Sequence, residues 1–452
     1  MATVDSSIVG VALPVILRDL ETTLSVVEWV PNAYLMVVTG LLLAFGRLAD
    51  IYGHRRVYLS GLAVFTGASV LCAAAPTAGS LVAARALQGA GAAMLMACAP
   101  GMITAIFPPN QRGRGLGLLG TTVALGLTSG PSLGGLLLES AGWRSIFVVN
   151  LPVGVAAVAL TLRRLPALRF ARRAQTFDIA GAALFTLGGS ALLLAISRLP
   201  QWGVAGPATL AWGGGGIALL AAFLVREARV PEPLLDLGLF RDRGFSAAVA
   251  AAVLSYLAGF VVVLLMPFYL LEVRGLSARS MGMMLTLPPL AMSLLAPWAG
   301  SLSDRIGYGR LTAIGMGVRA LSLTGFLTLG PSTPIPVALA SLALLGAGSA
   351  LFNPPNTSSI MGSVSPERLG IAGGIAAVAR NMGMALGIAL GSATFSLGYG
   401  ARGGTTLADF RPDLTAAFTA GWRMAMALGL LACLLGLAVS VMRPSPPPRE
   451  DP

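Results

Sequence analysis

The chain predicts an all-α polytopic membrane protein, two related six-helix bundles with two further helices inserted between them. Three observations predict it. Of 452 residues, 56% are hydrophobic and only 11% are charged, with a mean hydropathy of +0.81. The surface of a water-soluble domain does not tolerate that apolar excess. Apolar runs recur along the whole chain, most near or above the roughly 20 residues that a helix needs to cross a bilayer core. They lack the alternation of a lipid-facing strand. Finally, one short pattern occurs twice, as Gly46-Arg47-Leu48-Ala49-Asp50-Ile51-Tyr52-Gly53 and as Gly300-Ser301-Leu302-Ser303-Asp304-Arg305-Ile306-Gly307.

The runs place fourteen spans near residues 1–17, 27–46, 57–75, 79–106, 115–138, 145–162, 178–197, 206–225, 246–271, 281–301, 311–329, 334–361, 370–397 and 419–442. An even number puts both ends on one side. Basic residues collect in cytoplasmic loops, and all 30 here are arginine, since lysine does not occur. With the N-terminus inside, nineteen arginines fall in inner loops and tail, eight fall outside, and Arg85, Arg319 and Arg380 lie within spans. The ratio predicts cytoplasmic termini. It also accounts for the net charge of +12 without nucleic acid, because arginines in short inner loops face anionic lipid.

Smaller features narrow the reading. Cys72, Cys98 and Cys433 all lie in apolar spans without paired spacing, which reads as buried free thiols. His54 is the single histidine, so no multi-histidine metal or haem site is expected. The residues from 443 to 452 are proline-rich and charged, a composition expected to be disordered. No basic n-region precedes the first apolar segment, so a secretory signal is not evident. Counting from Met1 to Leu17 places Asp5 about one turn from the end of the first span, at the inner surface. This implies that the first residues of that span are missing from the reading frame.

The duplication extends beyond the loop. Its two copies start 254 residues apart, Leu87 to Ala93 matches Leu344 to Ala350 at 257, and Pro109 to Gly113 matches Pro366 to Gly370 at the same offset. Such an offset is too long for six spans and fits six plus two inserted ones. The organisation is therefore a bundle over 1–165, inserted helices with linkers over 166–245, a second bundle over 246–442 and a tail from 443. Repeats packed about a midplane cavity are how many secondary transporters are built.

The chain closely resembles the major facilitator superfamily, within it the fourteen-span drug:proton antiporter branch, from Asp5-Ser6-Ser7-Ile8-Val9-Gly10-Val11-Ala12-Leu13-Pro14 to Ala420-Gly421-Trp422-Arg423. Gly46 to Arg56 is similar to the signature loop between spans 2 and 3. Leu81 to Gly89 is similar to the span 4 motif, and Trp143 to Pro152 to the start of span 6. Gly126-Leu127-Thr128-Ser129-Gly130-Pro131-Ser132-Leu133-Gly134-Gly135 is similar to the span 5 motif associated with antiporters. The resemblance implies a major-facilitator fold, no cofactor, a small-molecule substrate exchanged for protons, and function as a monomer.

Each motif also has a physical reading. Gly46 and Gly53 permit a tight turn and close helix approach, while Asp50, Arg55 and Arg56, with Asp304 in the second copy, can form charge-assisted bonds that latch one cytoplasmic face. The alternative is a plain positive-inside loop. Gly126, Gly130 and Gly134 form a smooth stripe for another helix, which Pro131 bends and Gly135 extends; packing alone and an antiport role both remain open. Arg85 is a charge inside an apolar helix and needs a cavity and a partner. Asp5, the acid of the first span, is the candidate partner. The resemblance implies that Asp5 gains and loses the coupling proton; the alternative is a helix N-cap if Met1 is the true start. Gly10 and Ser7 stand where relatives usually carry asparagine and threonine.

Glu28, Asn32 and Thr39 fall within about 40 degrees on one face of the second span. They are expected to look into a substrate cavity together with Tyr34 and Gln88, although Glu28 at the outer mouth would be merely solvated. Asn353, Asn356 and Thr357, with Arg380 and Asn381, suggest the matching wall in the second bundle. Trp29, Tyr34, Tyr256, Tyr269, Phe352, Met382 and Met384 fit an adaptable apolar pocket for large cations or drugs. The stretch from Met281 to Trp298 contains no acid, which favours monovalent or neutral cargo over divalent cations.

The function read from the sequence is export of a hydrophobic, cationic drug or toxic metabolite in exchange for protons by alternating access. A dedicated exporter of one endogenous metabolite or antibiotic is the second reading. A membrane-embedded transferase is a distant third, because Glu227, Glu232, Asp236 and Asp242 form no tight acidic pair. A chain without lysine has no phosphate-binding loop of the G-x-x-x-x-G-K-[ST] kind. Arginine without lysine, with abundant alanine and glycine, marks a GC-rich bacterial genome, so a bacterial inner or plasma membrane is expected.

Overall fold

The structure of the chain, a computed structural model, describes residues 1–106, 112–164, 178–230, 235–364, 369–404 and 412–442. The side chains of Asp50 and Asp304, the linker 166–177 and the tail from 443 lie outside what it describes. Among the described residues there is no strand.

The helices of the first third are α1 (Ala2–Asp19), α2 (Leu24–Val27), α3 (Trp29–Tyr52), α4 (His54–Ala74), α5 (Ala78–Ile106), α6 (Arg112–Ala141), α7 (Ser145–Val148) and α8 (Asn150–Arg164). They are followed by α9 (Ile179–Trp202), α10 (Pro207–Glu227), α11 (Arg243–Phe268), α12 (Ala278–Leu285) and α13 (Leu287–Ile306). The last four are α14 (Tyr308–Leu327), α15 (Ile335–Gly362), α16 (Leu369–Gly400) and α17 (Thr415–Val441). Each of the fourteen apolar runs coincides with one of these helices or with a short helix joined to a long one.

Eleven stretches among the described residues are long and apolar enough to cross a membrane. The runs on α1, α6 and α14 are not among them. Arg319 interrupts the run on α14, and part of α6 lies outside the described side chains. A helix whose polar groups pack on neighbours rather than on lipid does not need the apolarity of an exposed span.

Local sequence sets the ends. Gly53 and Gly307 close the duplicated pattern with φ of +96° and +88°, a backbone region that favours glycine, and each ends one helix and opens the next. The carboxylates of Asp178 and Asp242 and the hydroxyl of Ser277 cap α9, α11 and α12 by accepting from backbone N–H groups.

Packing divides the helices by neighbour. α1 lies on α6, α3 and α4 on α5, and α8 on α4; α11 lies on α16 and α17, α15 on α13 and α14, and α17 on α14 and α16. The pair α9 and α10 packs on itself and touches both sets, through α3 and α16. The sets meet directly where α6 crosses α12, α3 crosses α16 and α1 crosses α11. Those crossings frame the site.

Candidate functional site

Asp5 lies in the first turn of α1, 1% exposed. It is neither at a surface nor an N-cap: the first helical residue is Ala2, and Met1 makes no side-chain cap. On α5, Arg85 and Gln88 sit three residues apart and so face the same way. Arg85 Nη1 donates to Asp5 Oδ2 at 2.6 Å. Gln88 Nε2 donates to Asp5 Oδ1 at 3.0 Å, and Asn150 Nδ2, from the first residue of α8, donates to the same oxygen at 2.7 Å.

The surrounding groups complete the cage. Arg85 Nε donates to the Val30 carbonyl at 3.1 Å, and its guanidinium lies 4.3 Å from the centre of the Tyr34 ring. Gln88 Nε2 also donates to Ser69 Oγ at 2.8 Å, while its Oε1 accepts from Arg85 and from the Cys72 thiol. A buried ion pair persists only when its remaining donors and acceptors are satisfied, and here five side chains on four helices do that. Gln88, expected in a substrate cavity, is instead 0% exposed within this network.

The glycine stripe of α6 explains how α1 comes so close. A Cβ on Gly130 would fall 1.8 Å from Ser7 Oγ, and one on Gly126 would fall 2.5 Å from Thr3 Oγ1. Gly134 faces Ile8, also on α1, whereas Gly135 faces the other set of helices, where its Cβ would lie 2.5 Å from the Ala278 carbonyl. Pro131 lies inside α6, and its carbonyl would be 2.4 Å from a Cβ on Gly282 of α12. Along the same seam Thr128 meets Ser293 at 3.2 Å, Ser132 meets Thr286 at 2.5 Å, and Glu139 accepts from the Arg279 N–H at 3.0 Å. Arg18 and Glu272 add an ion pair between α1 and the end of the α11 segment. The halves are thus zipped from mid-height towards the end that carries residues 20–28.

Two cavities among the described residues bear on the site. A small one of about 20 Å³ lies between the halves against Gly10, Tyr34, Arg85 and Phe260. A larger one of about 120 Å³ lies within the second half, where Tyr256 of α11, Phe352, Asn353 and Asn356 of α15, and Arg380 of α16 line it. Four residues expected in a substrate wall are therefore brought together. Asn381 is buried beside them but does not line the cavity. The one charged side chain of this lining is Arg380.

The polar face of the second span is placed differently from the expectation. Glu28, Asn32 and Thr39 are 0%, 0% and 2% exposed and line neither cavity. The Glu28 carboxyl faces Ser197 of α9 and Ser392 of α16, and the Thr39 hydroxyl donates back to the Leu35 carbonyl at 2.6 Å. Helical periodicity marks a polar face, but α9 and α16 cover it. Near Glu28 the cover is tied by Trp29 Nε1 to Ser197 Oγ at 3.4 Å and by Gln201 Nε2 to Ser25 Oγ at 2.8 Å.

In the signature loop, Gly53 makes the expected turn. Gly46 does not make the expected close approach, since a Cβ there meets nothing within 4 Å. Arg55 donates to the Leu162 carbonyl of α8 at 3.1 Å, and Arg56 is exposed. The carboxylates of Asp50 and Asp304, the other half of the expected latch, lie outside the described side chains.

Sequence reading missed Asn150, Ser69 and Cys72 as members of the Asp5 network. Asn150 carried a signal, since it stands inside the motif that opens the sixth span. It also missed Asp19, which accepts from Trp143 Nε1 at 2.7 Å and from Arg144 Nη1 at 2.9 Å. These two hydrogen bonds, the Trp143 one first, hold the Asp19 carboxyl below its ordinary range.

Comparison with known proteins agrees with this architecture. The sequence model of the Major Facilitator Superfamily matches residues 1–387 and 248–452. The riboflavin transporter RibZ of Clostridioides difficile is 35% identical over 396 residues, 88% of this chain and 86% of that protein. The tetracenomycin C resistance and export protein of Streptomyces glaucescens is 33% identical, covering 86% of this chain and 72% of its own length. The methylenomycin A resistance protein of Streptomyces coelicolor is 34% identical, covering 86% and 82%. Among solved structures, a peptide transporter POT in complex with sulfate superposes with a TM-score of 0.66 at 15% identity, over 98% of this chain and 95% of that one. A bacterial homologue of the lysosomal transporter Spinster, inward-facing and unoccupied, gives 0.66 at 15%, over 98% and 93%. With a helical architecture that superposes on transporters and a family match from end to end, this chain is a multi-pass membrane transporter of the Major Facilitator Superfamily.

Proposed function

We propose that the chain exports a hydrophobic organic compound across a bacterial cell membrane in exchange for protons, by alternating access and as a monomer. The observation that carries this reading is the Asp5 carboxylate, buried and held at once by Arg85, Gln88 and Asn150 on two other helices. A proton arriving at Asp5 removes the charge that those three donors serve. The hold of α5 and α8 on α1 then weakens, and α1 forms part of the seam through Arg18 and Glu272. A proton bound differently by two arrangements shifts their balance.

In this reading residues 1–165 and 246–442 are the moving bundles, 166–245 holds the inserted pair, and both termini are cytoplasmic. The zipped end would then be the outer one, and this arrangement the one open to the cytoplasm and ready for cargo. Relatives whose names speak of antibiotic resistance and export support the export direction. A transporter dedicated to one metabolite is favoured as the second reading by the modest size of the larger cavity, about 120 Å³.

The test is efflux from cells lacking their own pumps, for the chain and for Asp5→Asn, with and without a protonophore. Protonophore-sensitive efflux that Asp5→Asn abolishes is expected. Efflux that survives both treatments overturns the proton coupling.

A further inference from the structure

From the larger cavity we infer that the cargo is an aromatic organic anion, a flat ring system carrying a carboxylate, phenolate or similar oxygen acid, bound with that acid on Arg380. This deepens the proposed export function and rests on it only for the direction of transport.

The first ground is charge. None of the three helices that line the cavity, α11, α15 and α16, contains a single aspartate or glutamate along its length. A cationic compound would therefore meet Arg380 with no carboxylate on those helices to offset it. In a medium of low polarity, that unbalanced repulsion is weakly screened.

The second ground is an unserved donor set. Arg380 is half-buried and makes no hydrogen bond or ion pair among the described residues, in contrast to Arg85 with its carboxylate. A guanidinium at membrane depth is costly without a partner. Its planar fork matches two oxygens of one acid group better than any neutral acceptor does.

The remaining lining fits the rest of such a molecule. Asn353 Oδ1 has no partner, and its amide reaches only the Met292 sulfur at 3.9 Å, a weak acceptor. That side chain is free to read a ring hydroxyl or carbonyl beside the acid. Tyr256 and Phe352 supply flat walls for an aromatic ring. A volume of about 120 Å³ receives the acid and one ring, with any larger body extending out of the cavity.

Transport of an anion also changes the energetics of exchange. One anion leaving while one proton enters moves two charges in the same electrical sense, whereas a monovalent cation leaving for a proton moves none. Export should therefore respond to membrane potential as well as to a pH gradient.

The experiment uses the full chain, purified and in liposomes, with fluorescein as a flat anionic probe and ethidium as a flat cationic one. Binding is read by fluorescence anisotropy and transport by dye accumulation under an imposed pH gradient or an imposed potential. Fluorescein should bind, with affinity reduced at least tenfold in Arg380→Gln, less in Arg380→Lys, and severalfold in Asn353→Ala; ethidium should bind weakly and gain from Arg380→Gln. Thermal unfolding of each variant reports that it folds, and Asn353→Ala keeps the site testable if Arg380→Gln does not. Ethidium bound in preference to fluorescein, or fluorescein affinity indifferent to both positions, overturns the inference. Fluorescein bound through Arg380 but never driven by a pH gradient would leave the site standing and sink proton exchange. Gradient-driven ethidium transport indifferent to Arg380 would do the reverse.

Discussion

The two halves treat a buried cation in opposite ways. In the first, Arg85 is closed in a cage where the Asp5 carboxylate, the Gln88 amide oxygen, the Val30 carbonyl and the Tyr34 ring satisfy it. In the second, Arg380 borders open volume on helices that carry no acid, and Arg319 of α14, 4% exposed, donates to the Ser349 hydroxyl and the Ser255 carbonyl. The difference accords with the division of labour proposed above: the filled site, with members on five helices, would sense a proton, and the unfilled one, with a charge to spare, would receive a molecule.

The strongest way to break that comparison is at Asp5. Asp5→Ala should lower stability in detergent by about 3–5 kcal/mol, since it strands a buried guanidinium. The double variant Asp5→Ala with Arg85→Met should recover most of that loss without recovering proton-driven efflux. Calorimetry and transport on the same samples separate the two effects, and additive losses would show that the residues do not act as a pair.

A second test addresses the seam between α6 and α12. Gly135→Val puts atoms where the Ala278 carbonyl already lies, an overlap that should cost the zipped arrangement about 1–3 kcal/mol. Cross-linking between Arg18→Cys and Glu272→Cys, partners of the ion pair at that end, should then fall sharply. Unchanged cross-linking would mean that the close approach of Gly135 and Gly282 does not set the closure.

Arg319 offers a smaller effect. Without an acid to strand, Arg319→Met should change stability by about 1 kcal/mol or less, the scale of ordinary net hydrogen bonds. A loss as large as that from Arg85→Met would erase the contrast between the halves. Thermal unfolding of the two variants side by side decides it.

The smallest effect is at the rim. Asp19 and Arg144 are 46% and 44% exposed, so Asp19→Asn should cost about 0–1 kcal/mol at neutral pH. The Asp19 carboxyl is held below its ordinary range in the folded protein. Its contribution is therefore present above the unfolded value of about 4 and is lost as pH falls through the folded one. Unfolding curves of the two proteins should converge once the pH has fallen below that folded value.

Much of this was legible in the sequence, for reasons that can be named. Apolar runs give helices because backbone groups in lipid have no other partners. Arg85 pointed to Asp5 because a charge inside a span needs an opposite one nearby. Tyr256, Asn353, Asn356 and Arg380 could be grouped because polar residues on apolar helices turn away from lipid.

What was not legible depends on contacts between distant segments. The polar face of Glu28, Asn32 and Thr39 could be read, but not that α9 and α16 would cover it. Gln88 read as cavity-lining, and only the approach of α1, α4 and α8 makes it a bridge between Asp5 and Ser69. The charge of the larger cavity likewise depends on which three helices meet, and not on any local pattern.

The inserted pair leaves a last consequence, for compounds that arrive from the lipid rather than from water. α9 lies across α3 and α16 and closes that join to the membrane. On the opposite flank, where α6 meets α12 and α13, Leu133, Leu136 and Leu294 stay exposed at 45%, 45% and 65%. A greasy solute diffusing in the leaflet thus meets a join covered by a helix on one flank and bare leucines on the other.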